Sequence, residues 1–154
     1  MTISPQHLLA AVNNKRFLGL DLGTKTIGVA ISDPGGIIAT PLKTIKRTKL
    51  AKDLDELIGM IENEKPTALV LGLPVNMDGT EGPRCQATRQ FAHDVGKRIS
   101  IPICLWDERL STSAVERMMT DEADLSRARR AELVDKLAAA YILQGILDYL
   151  SKVK

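Results

Sequence analysis

The stretch "FLGLDLGTKTIGVAISD", Phe17–Asp33, decides how this chain is read. Its first four residues are almost wholly apolar, and then a carboxylate, Asp21, follows directly. "RFLGLD" (16–21) reads as a strand. "TIGVAISD" (26–33) reads as a second, with Ile27, Val29 and Ile31 on one face and Gly28, Ala30 and Ser32 on the other. The link Leu22–Lys25 contains Gly23, as a tight hairpin turn requires. A strand that ends on an acid places it at the edge of the sheet, and open α/β sheets bind ligands beyond the carboxyl ends of their strands.

Working outward, "DPGG" is a turn, and "IIATPLKTIK" (37–46) is a third strand, completing an antiparallel meander. The period then changes. In "TKLAKDLDELIGMIENEK" (48–65), Leu50, Leu54, Leu57, Ile58 and Ile61 recur at helical spacing, and Pro66 follows. "ALVLGL" (68–73) is a short continuous apolar run, the pattern of a strand buried on both faces. A polar, Gly-rich loop covers 74–83. A helix covers 84–98, with Ala87, Phe91 and Val95 along one side. "IPICLWD" (101–107) is another buried strand, and Ser113 with Glu116 forms a capping box that opens a helix to about Thr120. A final helix runs over 127–150 with Leu133, Leu137, Tyr141 and Ile142 facing inward. Parallel strands need crossover helices, and 48–65 and 84–98 have the length for it. The pattern predicts a five-stranded mixed α/β sheet, three antiparallel strands and then parallel ones, with helices on both faces. Residues 16–150 form one domain, 151–154 a tail, and 1–15 a polar extension, either flexible or holding one helical turn at Leu8–Val12.

The chain has 154 residues, 44% hydrophobic and 26% charged, which suits a single globular domain and excludes a disordered one. A net charge of +2 excludes a uniformly basic nucleic-acid coat, so any basic face must come from local clustering. No apolar run is long enough to span a bilayer, and the start lacks a signal-peptide pattern. Two isolated cysteines, Cys85 and Cys104, fit a reducing cytosol and a cytoplasmic protein.

Three carboxylates stand where chemistry is expected. Asp21 closes the first strand and Glu108 lies just past the fifth. Asp135 sits on the last helix beside Ala138 and Ala139, small residues that let the helix approach the sheet. Converging carboxylates repel unless a cation lies between them, and an oxygen-only set suits Mg²⁺ or Mn²⁺. Each acid also has a plainer reading. Asp21 can stabilise the turn at Gly23, Glu108 can pair with Arg84 or Arg109, and Asp135 can pair with Arg130 or Lys136 on a solvated face. Asp33, Asp78 and Asp107 lie in turn settings and are weaker candidates. For phosphate contacts, Gly72, Gly79 and Gly82 allow close backbone approach, and Arg84 stands at a helix entrance. Arg109, Asn76, Thr24 and Lys25 complete the expected phosphate-facing set. Basic runs occur at Lys43–Lys52 and Arg127–Arg130. Each alone marks a solvated face, but beside a carboxylate centre they would form a groove that tracks a phosphate backbone. Aromatics are only 3% of residues, which argues against extensive base stacking.

Taken in order, "GLDLGTKTIGVAISD", "LVLGLPVNMDGTEGPR", "WDERLSTSAVE" and "VDKLAAAYIL" resemble the YqgF family, described as pre-16S rRNA nucleases and Holliday-junction-resolvase-like proteins. The resemblance covers about residues 16–150. It implies a ribonuclease H-like fold and a cytoplasmic, divalent-metal-dependent nuclease that trims the 5′ end of precursor 16S rRNA. The family's catalytic acids would fall on Asp21, Glu108 and Asp135, with Mg²⁺ or Mn²⁺ as cofactor. Implied partners are precursor rRNA or another structured nucleic acid and ribosomal particles, with no membrane, the protein acting as a monomer or homodimer. Alternatives are a Holliday-junction resolvase, which would need two active sites, and a non-catalytic nucleic-acid-binding regulator with the same fold. "DLGTK" also resembles the first phosphate motif of actin-like ATPases and sugar kinases, but the chain is too short for their two lobes.

Overall fold

The computed structural model describes residues 2–110 and 127–153, without the side chains of 110 and 127–136. The strands are β1 (Thr2–Ile3), β2 (Phe17–Leu22), β3 (Thr26–Ser32), β4 (Ala39–Lys46), β5 (Ala68–Leu73) and β6 (Ile103–Asp107). The helices are α1 (Pro5–Ala11), α2 (Leu50–Glu64), α3 (Pro83–Gly96) and α4 (Arg127–Lys152), with a 3₁₀ turn at Glu108–Leu110. The capping box at Ser113 and Glu116 and the helix expected after it lie outside the described residues.

The strands form one mixed sheet in the order β1-β6-β5-β2-β3-β4. β2, β3 and β4 are the expected antiparallel meander, and β5 and β6 continue from β2 in parallel. The sheet has six strands rather than five. Thr2–Ile3 pairs in parallel with Ile103–Cys104 and covers what would otherwise be an open edge of β6. Residues 1–15, expected as an extension, therefore supply a strand and a helix. The physical reason is Leu8, which is wholly buried against the same core as α4.

Side chains alternate along each strand, so each sheet face has its own core. Phe17, Ala30, Ala68, Val70, Cys104 and Trp106 pack with Ala139, Leu143, Ile146 and Leu150 of α4. Leu18, Leu20, Ile27, Val29, Leu69, Leu71 and Ile103 pack with Leu54 and Leu57 of α2 and Phe91 and Val95 of α3. The helical periods hold with two local shifts. Leu50 is 43% exposed, and Asp53 takes the buried place in that first turn. Its carboxylate accepts the Thr48 backbone N–H at 3.0 Å and the Thr48 hydroxyl at 3.1 Å. Along α3, Ala87 faces solvent and Thr88 is buried, its hydroxyl donating to the Arg84 carbonyl at 3.0 Å.

Candidate catalytic site at the carboxyl edge of the sheet

Strand alternation builds this site. Phe17, Gly19 and Asp21 share one face of β2, and Ala68, Val70 and Gly72 share the same face of β5. Cys104 and Trp106 share it on β6, and the next position in that series is Glu108. This is the face covered by α4. β5 lies between β2 and β6, so Asp21 and Glu108 flank Gly72 at the strand ends. Gly72 makes their meeting possible. A Cβ on it would lie 2.5 Å from Glu108 Oε1 and would collide with Ile142 of α4. The Glu108 side chain thus folds back over bare backbone, and it shares a side-chain hydrogen bond with Asp21.

Two carboxyl groups in contact share a proton or a cation. Burial pushes Glu108 up to about 7, the nearby charge of Asp21 and their hydrogen bond add to the rise, and Arg84 opposes it. Arg84 sits in the first turn of α3, and its guanidinium donates to the Leu22 carbonyl at 3.5 Å. On the other side of β2, the Arg47 guanidinium donates to the Gly23 carbonyl at 2.7 Å, and its backbone N–H donates to the Lys25 carbonyl at 2.9 Å. Thr24 and Lys25 are exposed at the hairpin tip.

The loop after β5 is a small hydrogen-bonded unit. Asn76 N–H donates to the Thr80 carbonyl at 2.9 Å, and Gly79 N–H donates to the Asn76 carbonyl at 2.8 Å. Gly79 has φ of +90°, a conformation that favours glycine. Arg109 pairs with Asp107, its closest contact 2.6 Å, and reaches the Asn76 and Met77 carbonyls at 3.5 Å. It braces the loop against the end of β6.

The weaker acidic candidates all have local partners. Asp33 accepts the Ile37 and Ile38 N–H groups, and Asp78 accepts the Thr80 N–H and hydroxyl. Asp107 is held below the usual carboxylate range, chiefly by its hydrogen bond from Arg109. Asp135 falls on the backbone of α4, but its side chain lies outside the described residues. Among the described residues no three metal-binding side chains converge. Asp21 and Glu108 do come together, and oxygen-only carboxylates are the donor set that hard divalent cations take. In the sequence Arg47 is only one charge in a basic run. Nothing local distinguishes it there, because its partner is a backbone carbonyl across two strands.

Helix α4 comes close to the sheet at Gly19, where a Cβ would lie 2.8 Å from Leu143 Cβ and 3.2 Å from the Ala139 carbonyl oxygen. Gln144 accepts the Ala39 N–H at 2.9 Å, opposite the start of β2.

A family model described as "RuvX: Holliday junction resolvase" matches residues 15–149. A protein of Paramagnetospirillum magneticum is 56% identical over 95% of this chain and 94% of its own length. One from Rhodobacter capsulatus is 61% identical over 86% and 83%. Both carry the name "Putative pre-16S rRNA nuclease". Two solved structures share the fold. Thermus thermophilus RuvC in complex with a Holliday junction substrate has a TM-score of 0.55 at 14% identity, covering 90% of this chain and 98% of that one. The yeast mitochondrial Holliday junction resolvase has a TM-score of 0.54 at 13% identity, covering 97% and 85%.

Proposed function

Because this chain belongs to the RuvX family of Holliday junction resolvases, matched over residues 15–149, we propose that it is a metal-dependent nuclease that cuts precursor 16S rRNA near its 5′ end. The observation that carries this is the meeting of Asp21 and Glu108 over Gly72 at the carboxyl edge of the sheet. The rRNA substrate is supported by the name shared by relatives at 56% and 61% identity.

Asp135 completes the acidic set in this reading. From Ala139 back to residue 135 the helix rises about 6 Å, and from Gly19 to Asp21 the strand advances about 7 Å. One helical turn from the Gly19 contact thus covers about the same distance as two strand residues, which supports Asp135 as the third acid. Asp21, Glu108 and Asp135 would hold Mg²⁺ or Mn²⁺, which supplies charge stabilisation to the phosphate and acidifies a water. The protein's own part is positioning. Asp21 on β2 and Glu108 just past β6 face the scissile phosphate. Arg84 neutralises charge beside them, and the Asn76–Gly79 loop, Thr24 and Lys25 contact neighbouring phosphates. Arg109 keeps that loop in place. The wider setting is ribosome biogenesis in the cytoplasm, on free precursor or on ribosomal particles. Buried free thiols at Cys85 and Cys104 fit a reducing compartment.

The test is cleavage by the purified protein with Mn²⁺, on a precursor 16S 5′ fragment and a four-way DNA junction side by side. Cleavage of the precursor is expected, with Asp21→Asn folded but inactive, because the change removes charge and little volume. Turnover that persists in excess EDTA would overturn the scheme. The second reading, junction resolution, is favoured by the family description and requires a homodimer, since both strands must be cut. Preferential cutting of the junction by a dimeric species would establish it, whereas end trimming needs only a monomer.

A further inference from the structure

The described arginines divide cleanly. Arg16, Arg89, Arg98 and Arg109 each form a salt bridge, to Glu64, Glu81, Asp55 and Asp107 respectively. Arg47 and Arg84 have no salt bridge to a described residue, and both are anchored on backbone carbonyls, those of Gly23 and Leu22. These are the first two carbonyls after Asp21. A carbonyl anchor holds a guanidinium in place without cancelling its charge, whereas a carboxylate cancels it.

The sheet order puts the two on opposite sides of β2. Arg84 belongs to α3, which follows β5, and β5 is one neighbour of β2. Arg47 follows β4, on the β3 side. Arg47 is also held at its base. It is half-buried, its N–H is bonded to Lys25, and the next residue, Thr48, is tied to the buried Asp53. One N–H of its guanidinium is spent on Gly23, and the fork has five.

We propose that Arg47 is a phosphate-binding residue of the nuclease site, paired with Arg84 across the end of β2. The substrate strand then crosses the sheet edge from the β5 side to the β4 side, with the scissile phosphate over Asp21 and Glu108 between the two guanidinium groups. The inference rests on the nuclease reading above and goes beyond it in assigning the path of the strand and a residue that spacing did not single out.

Arg47→Gln tests it, because glutamine removes the charge and the reach of the guanidinium while keeping a polar side chain on the same stem. In an Asp21→Asn background, binding of the precursor 5′ fragment is measured against salt. The expected result is a folded protein, binding weaker by roughly tenfold, and a log–log salt slope reduced by about 0.7, one phosphate on a single strand. Arg47→Lys should restore the slope, and Arg98→Gln should leave it unchanged. A slope and affinity equal to the parent would overturn the assignment of Arg47. If the Asp21→Asn protein binds neither RNA nor junction at low salt, the nuclease reading fails instead. Should Arg47→Gln unfold, phenylglyoxal labelling of the unaltered chain, read by mass spectrometry, decides. RNA should protect Arg47 and Arg84 but not Arg98, and unprotected Arg47 would overturn the proposal.

Discussion

A proton on Glu108 is the residue-level signature of this site. In the metal-free protein burial and Asp21 hold it to about pH 7, against an ordinary value of 4.5. Between those values the folded state binds more protons than the unfolded chain, so stability falls as pH rises through that window. This contribution is complete below about 4.5 and lost above about 7. Urea unfolding in EDTA at pH 5 and pH 8 measures it as the difference between wild type and Glu108→Gln, which should lose less on going to pH 8. Equal losses in the two proteins would show that Glu108 does not carry the strain. On the proposed function a divalent cation bound at the pair would take the proton's place, so adding Mg²⁺ should recover most of the stability missing at pH 8. The carboxylates themselves were legible as strand-end acids. Their convergence was expected too, but not how they meet, because that depends on Gly72, whose missing side chain has no meaning until Glu108 is seen to lie over it.

Among the elements, α4 against β2 matters most, since it sets how near the last helix stands to Asp21. Gly19→Ala would place a methyl 2.8 Å from Leu143 Cβ and 3.2 Å from the Ala139 carbonyl. The helix backbone has to yield, at a cost of about 1–3 kcal/mol in urea unfolding. On the proposed function cleavage should fall further than stability explains, because the displaced helix carries Asp135. A variant as stable as wild type would mean the helix has slack there. Element positions from β2 to β6 were legible, since β5 reads as an apolar run and α2 as a helical period. The first turn of α2 was not. Leu50 has the right spacing but faces solvent, because Asp53 is turned inward to hold Thr48, and a capping acid outcompetes the apolar period at a helix entrance.

For the molecule as a whole, the N-terminal segment is part of the packed unit. β1 covers the β6 edge, and Leu8 is wholly buried between α1 and the α4 layer. Leu8→Ala should cost about 2–5 kcal/mol in unfolding free energy, the range for a buried leucine that leaves a cavity. A cost under about 0.5 kcal/mol, typical of an exposed site, would show that the segment is dispensable. Among the described residues no helix is long and apolar enough to cross a membrane.

The chain by itself determined which residues of the strands lie on which face, because alternation by two is written locally in the order of apolar side chains. It likewise determined that Asp21 ends a strand and Glu108 follows one. The insertion of β5 between β2 and β6, the fold of Glu108 over Gly72, the anchoring of Arg47 on Gly23 and the pairing of β1 with β6 were decided only in three dimensions. Each joins segments far apart in sequence through backbone hydrogen bonds or empty space, and neither leaves a periodic mark on the residues that provide it.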